Sequence, residues 1–410
     1  MSDAPESSAG PSAPAPPPHA GGPGGSGGYR PVRPPPPPPR SSPVLGCAFA
    51  LSFGLNLLAG LVILLGCVGV FALRKPDTSI LPLTEQHYAG ESGTGDKIAV
   101  VTLDGVILEG LMSFVHKQIE QAAGDRHVKA VILRINSPGG SITASDELHR
   151  RLVELRDGSA RKKRDPRPLI VSMGAMAASG GYYVAMPGQT LFAERTTLTG
   201  SIGVYSSFPN VKELGQKIGV SLTTIKQGQI KDSASPFKDM TAHEREVWQD
   251  LVDEAYQSFL KVVEQGRPAL QGGKLLQTLK ITPVGAGPDF LHNGELRKPY
   301  ERYLADGGVW TAEKALQFQL IDKIGSLDDA IQAAHDAASL GEDYRVIKYE
   351  RPSTLAELLG LGVRSPAAPA GSLLDPARLE GGFLPRLWYL APGAETSGFL
   401  AATRTGDAPR

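Results

Sequence analysis

Val171-Ser-Met-Gly-Ala-Met-Ala-Ala-Ser-Gly-Gly-Tyr-Tyr183 decides how this chain folds. The apolar run Leu169-Ile170-Val171 leads into it and reads as a buried strand. Past Gly174, small residues lead to Ser179-Gly180-Gly181. Tyr182 to Met186 then gives one or two helical turns that stop at Pro187. A serine where a strand hands over to a helix lies beside backbone N–H groups that the helix leaves unpaired. The helix dipole favours developing negative charge there, and small neighbours let another backbone approach. These features suit a nucleophile with an oxyanion hole beside it. On this stretch alone a small residue packed at a tight strand–helix junction is the simpler reading.

Upstream, Lys97 to Leu103 is a β-branched apolar strand, and Asp104-Gly105 turns into a second short strand, Val106-Ile107. Leu111 to Ala123 has helical spacing. Val128 to Ile135 is another buried strand and ends in Asn136-Ser-Pro-Gly-Gly-Ser141. A helix follows from Ile142 to Leu155. Arg156 to Arg167, with Arg161-Lys-Lys-Arg164, reads as a solvated basic loop. Downstream, Thr190 to Ala193 is a strand and Leu198 to Val204 a glycine-broken apolar stretch. Val211 to Ile218 is a short helix, Ser221 to Ile225 a short strand, and Gly228 to Pro236 a loop. Thr241-Ala-His-Glu244 has the spacing of a capping box and opens the longest helix, to about Gln265. Residues 268–303 break the pattern and read as an insertion. Thr311 opens another helix, Leu320 to Gly325 is strand-like, Ser326 caps a helix to about Leu340, and Tyr344 to Tyr349 is a final edge strand. The alternation predicts an α/β layered fold with a largely parallel sheet.

The flanking regions differ in composition. Residues 1–43 of the 410 are Pro, Gly, Ser and Ala with almost nothing to bury, a disordered tail. Residues 44–73 carry no charge and exceed the roughly 20 apolar residues that span a bilayer, so one transmembrane helix is expected there. Arg30, Arg33 and Arg40 precede it; Arg74 and Lys75 follow, with Asp77 close behind. This bias favours a single-pass protein of the cell (cytoplasmic/inner) membrane, its N-terminus cytoplasmic and the remainder outside. Residues 74–96 read as a linker, 97–350 as the folded domain and 351–410 as a low-complexity tail with one apolar cluster, Phe383 to Leu390. Net charge is zero, which gives no ground for nucleic-acid binding. The two cysteines, Cys47 and Cys67, both lie in the apolar segment, and the eight histidines are scattered. No metal-ligand spacing occurs, and no metal or cofactor is expected.

A serine nucleophile needs a base. There is no Gly-x-Ser-x-Gly elbow. His149 and His243, the histidines near the central motifs, sit on charged helical stretches and read as surface residues. Burial in an apolar pocket lowers a lysine pKa, so that such an amine accepts a serine proton near neutral pH. Lys231, flanked by Gly228, Ile230 and Ser233, is the candidate; the same sequence also fits an exposed loop lysine.

Four motifs occur in order: Ser137-Pro-Gly-Gly-Ser141, Ala177-Ala-Ser-Gly-Gly-Tyr-Tyr183, Gly200-Ser-Ile-Gly-Val204, and Lys231-Asp232 with Ser235-Pro236. Together they resemble the signal peptide peptidase A (protease IV) family of serine peptidases, in its short single-domain form. Asp306-Gly307, Ala315 and Ile321-Asp-Lys-Ile-Gly325 look like the end of that family's domain. The resemblance, over about residues 97–345, implies a Clp protease/crotonase-like fold. It makes Ser179 the nucleophile and Lys231 the general base of a Ser/Lys dyad. Gly139 or Gly140, with Gly180, would supply oxyanion N–H groups. Ser201 would either support Lys231 or pack a tight turn. The resemblance further implies a homo-oligomeric ring with the dyad assembled between neighbouring subunits. Its implied substrates are cleaved signal peptides and other short apolar polypeptides in the membrane. The Pro-rich N-tail, residues 268–303 and the long C-tail depart from the family pattern. Three other readings compete: a related membrane protease that processes a stomatin-like partner, a catalytically silent membrane scaffold and, on fold alone, a crotonase-type acyl-CoA enzyme.

Overall fold

Three apolar runs form the middle of the sheet because both of its faces are covered. The computed structural model describes residues 52–61, 82–91, 95–283, 291–292, 295–296, 298–351 and 387–391. Its strands are β1 (Thr84–Gly90), β2 (Asp96–Asp104), β3 (Val128–Ser137), β4 (Gly139–Ser141), β5 (Leu169–Ala178), β6 (Thr190–Ala193), β7 (Leu198–Gly200), β8 (Leu279–Ile281), β9 (Leu291–His292), β10 (Glu295–Leu296), β11 (Tyr300–Arg302), β12 (Val309–Thr311), β13 (Lys323–Ile324), β14 (Tyr344–Glu350) and β15 (Trp388–Leu390). Its helices are α1 (52–61), α2 (Ser113–Gly124), α3 (Ile142–Asp157), α4 (Gly180–Ala185), α5 (Lys212–Ile218), α6 (Ala242–Gly266), α7 (Ala312–Gln317) and α8 (Leu327–Ala337).

The chain divides into two units, residues 1–75 and 76–410. In the first, α1 carries Phe53, Leu55, Leu57, Leu58 and Leu61, all exposed. The rest of the expected span 44–73 lies outside the described residues, as do residues 1–43. Among the described residues no helix is long and apolar enough to cross a membrane.

In the second unit a nine-stranded sheet runs β1-β14-β2-β3-β5-β6-β13, with β7 also on β5 and β12 on β7. All pairings are parallel except β1–β14 and β12–β7. Alternate residues of each central strand feed opposite faces. Ala99, Val101, Leu103, Leu133 and Val171 join the larger core. It takes in Val115 and Ile119 of α2, Leu148 and Leu152 of α3, Tyr182 of α4 and Phe259 of α6. Ile98, Val100, Ile132 and Ile170 pack instead against Ala330, Ile331 and Ala334 of α8. This layering fits a Clp protease/crotonase-like fold. The capping box at Thr241 and Glu244 forms as expected and opens α6.

Several expectations change. Residues 74–96 include a strand: β1 pairs with β14, so Tyr344–Glu350 lies inside the sheet and β1 forms its edge. Val106-Ile107 is no strand; Ile107 only bridges to Gly140. Ser221 to Ile225 forms no strand, and Ile225 is 97% exposed. Residues 268–303 contain two 3-10 turns and the antiparallel pair β8–β11. Within the tail, β15 pairs antiparallel with β4.

Candidate active site

Ser179 stands where β5 hands over to α4. Its amide ends the β5–β7 ladder by donating to the Gly200 carbonyl at 2.8 Å, and its own carbonyl accepts the Tyr183 amide of α4 at 2.9 Å. Between the two its backbone has φ 53° and ψ −116°, a conformation that ordinarily needs glycine. Such strain persists only where the surroundings over-determine it. Here two tyrosine hydroxyls pin α4. Tyr182 donates to the Leu320 carbonyl at 2.7 Å and Tyr183 to Asp146 Oδ1 at 2.7 Å. Burial pushes both phenols well above their ordinary pKa. Ser179 is fully buried, and its Oγ has no hydrogen-bond partner among the described residues.

The predicted oxyanion glycines surround this serine. Gly139 has φ 98°, and a β-carbon on it would overlap the Tyr389 carbonyl and come within 2.6 Å of the Gly180 nitrogen. A β-carbon on Gly180 would lie 3.1 Å from the Gly140 nitrogen and 2.5 Å from Ser145 Oγ. One on Gly140 would overlap the Ile107 carbonyl. The Gly139 amide already donates to Ser137 Oγ at 3.1 Å. Gly140 and Gly180 therefore bring their backbones together beside Ser179, and only glycine permits the approach.

Lys231 lies elsewhere in the chain. It occupies an exposed turn closed by its amide on the Gly228 carbonyl at 3.3 Å. Its neighbours are tied down. Asp232 pairs with Lys226 at 2.5 Å and Lys238 at 3.1 Å, and these partners hold its carboxyl below the usual range. Ser233 Oγ accepts the Trp248 indole N–H at 3.1 Å. Within one chain Ser179 and Lys231 make no hydrogen bond. Ser201, at φ 52°, donates its hydroxyl to the Gly307 carbonyl at 2.8 Å. His243 is exposed, as expected. His149 is not a surface residue: it is half-buried, edge-on to Tyr183 at 5.2 Å, and burial lowers its pKa. Tyr205 and Tyr389 flank the site without any motif to announce them. The cluster Phe383 to Leu390 was the one available signal for Tyr389, and composition does not say where such a cluster docks.

The family model described as Peptidase family S49 matches residues 161–275 and 292–341. A protein of Enterococcus faecium that carries the name SppA is 31% identical over 64% of this chain, which covers 70% of that protein. The chain belongs to peptidase family S49. The S49 match takes in Ser179, Ser201 and Lys231 and stops short of Gly139, Gly140 and β15. Protease 4 of Haemophilus influenzae is 31% identical over 65% of this chain. Serine protease SPPA, chloroplastic, of Arabidopsis thaliana is 30% identical over 67%. The chain spans only 38% of the length of each of these two relatives.

Proposed function

We propose that this chain is a membrane-anchored serine endopeptidase with a Ser/Lys dyad, acting on cleaved signal peptides and other short apolar polypeptides. The observation that carries the proposal is Ser179. It is a buried, unpartnered hydroxyl on a strained backbone, beside glycines that admit another backbone. Ser179 Oγ attacks the scissile carbonyl carbon and its proton passes to the Lys231 amine. The carbonyl electron pair moves onto oxygen, where the Gly140 and Gly180 amides hold it. Collapse breaks the C–N bond, and the Lys231 ammonium gives its proton to the leaving amine. Water then attacks the acyl-serine through the same amine, releasing the acid and restoring Ser179.

Lys231 reaches Ser179 from a neighbouring copy in a homo-oligomeric ring. The stretch of chain just before the turn that bears it carries Ile218, Val220, Leu222 and Ile225, which are all exposed; exposed apolar side chains grouped in this way support an association surface. Residues 44–73 anchor the ring in the cell membrane as a single span, N-terminus cytoplasmic. The test is hydrolysis of an apolar peptide by the full chain in detergent, against Ser179→Ala and Lys231→Ala. Each substitution lowers the rate by about a thousandfold or more. Equal rates in all three would return the chain to a scaffold role.

A further inference from the structure

Residues 387–391 cross the site as a strand bonded on both edges. On one edge β15 pairs antiparallel with β4, setting Trp388 opposite Ser141, Tyr389 opposite Gly140 and Leu390 opposite Gly139. The Ala391 amide donates to the Pro138 carbonyl at 2.8 Å, and the Ile142 amide to the Leu387 carbonyl at 3.5 Å. On the other edge Trp388 and Tyr205 exchange both backbone bonds, at 3.0 and 3.3 Å. Antiparallel ladders alternate bonded and non-bonded pairs. The flanking bonds therefore make Tyr389 and Gly140 a bonded pair, with the Gly140 amide donating to the Tyr389 carbonyl.

The side chains alternate as well. The Tyr389 ring is buried, stacked on Tyr183 at 5.2 Å and tilted against Phe259 at 4.5 Å, and its hydroxyl donates to the Ala255 carbonyl at 2.9 Å. Leu390 turns the other way, onto Val106 and Leu108, with Trp388 and Tyr205 packed alongside. An extended segment with main-chain bonds on both edges and alternating side-chain pockets is the arrangement by which grooves recognise peptides.

We propose that this segment is an intramolecular substrate mimic. Its Tyr389 carbonyl sits where a scissile carbonyl would lie, and the Tyr183–Phe259 pocket selects an aromatic residue at that position. Leu387 to Ala391 closes the groove and must leave before another peptide enters. This inference rests on Ser179 being the nucleophile.

The test uses the full chain in detergent. The rate at which a fluorophosphonate labels Ser179 is measured for the parent, Tyr389→Ala and Ala391→Pro. In the same proteins, hydrogen exchange is followed at residues 139–141 and 205. Loss of the buried ring speeds labelling about tenfold or more. Loss of the single Ala391 bond speeds it about fivefold and leaves the aromatic packing intact. A synthetic peptide of residues 384–394 slows labelling of both variants again and restores exchange protection; the same peptide with alanine for tyrosine does neither. Unchanged labelling and exchange in Ala391→Pro would overturn the proposal even if Tyr389→Ala failed to fold. If no form is labelled at Ser179, the nucleophile assignment fails. The exchange response to the peptide then decides the groove by itself.

Discussion

Gly139 has no space for a side chain, because the carbonyl of Tyr389 already fills the position where its β-carbon would be. Gly139→Ala must strain a backbone at φ 98° and push β15 off β4. The expected cost is at least about 2 kcal/mol of stability, together with loss of peptide hydrolysis. Thermal melts and a peptide assay on the purified variant check both. Unaltered melting would mean that β15 does not sit on β4 in solution.

Arg267 clamps Asp322 with two bonds of 2.8 Å while its Nε donates to the Gln319 carbonyl at 2.9 Å. Asp322 also accepts the Leu191 amide at 2.8 Å. The clamp therefore ties the end of α6 to the start of β6 and to the chain before β13, just past Leu320, on which the Tyr182 hydroxyl rests. Arg267→Ala leaves a carboxylate without its partner and is expected to cost about 3 kcal/mol, since Asp322 is only partly exposed. Chemical denaturation measures it.

Stability falls on the acid side through two histidines. Burial lowers the pKa of His149, with Arg156 adding to the effect and Asp146 opposing it. Burial and Arg151 lower that of His116, against Glu147 and Glu120. Below the ordinary value of 6.5 the unfolded chain takes up protons that the folded chain refuses. The unfolded state then binds more protons, so stability rises with pH. It is fully present above 6.5 and is lost as pH falls through the folded values. His149→Phe keeps a ring against Tyr183 and removes one titrating group. Its melting temperature is expected to decline less steeply with acid than the parent's, and matching slopes would contradict the assignment.

The exposed face around Ile225 should hold copies together. Ile225→Asp places a charge in that patch. The expected outcome is a shift to smaller species in analytical ultracentrifugation, with activity lost in parallel while the fold persists by circular dichroism. An active monomer would place the base within one chain.

What the residues disclosed follows from how each element is stabilised. Ile98 to Val101 and Ile132 to Leu133 announce themselves because both faces of the sheet are buried. β1 does not: Thr84 to Gly90 is mostly exposed and is held by pairing with β14, which leaves no apolar period to read. Ser221 to Ile225 has the composition of a strand, but a strand also needs a neighbour, and that is a property of the fold. Ser179 and its glycines were legible as a motif. The positive φ of Ser179 and the closure of its groove by Tyr389 depend on residues far apart in the chain. That Ser179 Oγ finds no partner among the described residues of its own chain was not readable from spacing; only the family resemblance carried the expectation of a base from a neighbouring subunit.

The dyad between subunits is tested most directly by mixing Ser179→Ala with Lys231→Ala. Each variant alone is dead. Dissociated and reassembled together, they form rings in which an intact Ser179 meets an intact Lys231 from its neighbour, and peptide hydrolysis is predicted to return. Persistent inactivity of the mixture in rings shown to contain both chains, or full activity of Lys231→Ala alone, would contradict it.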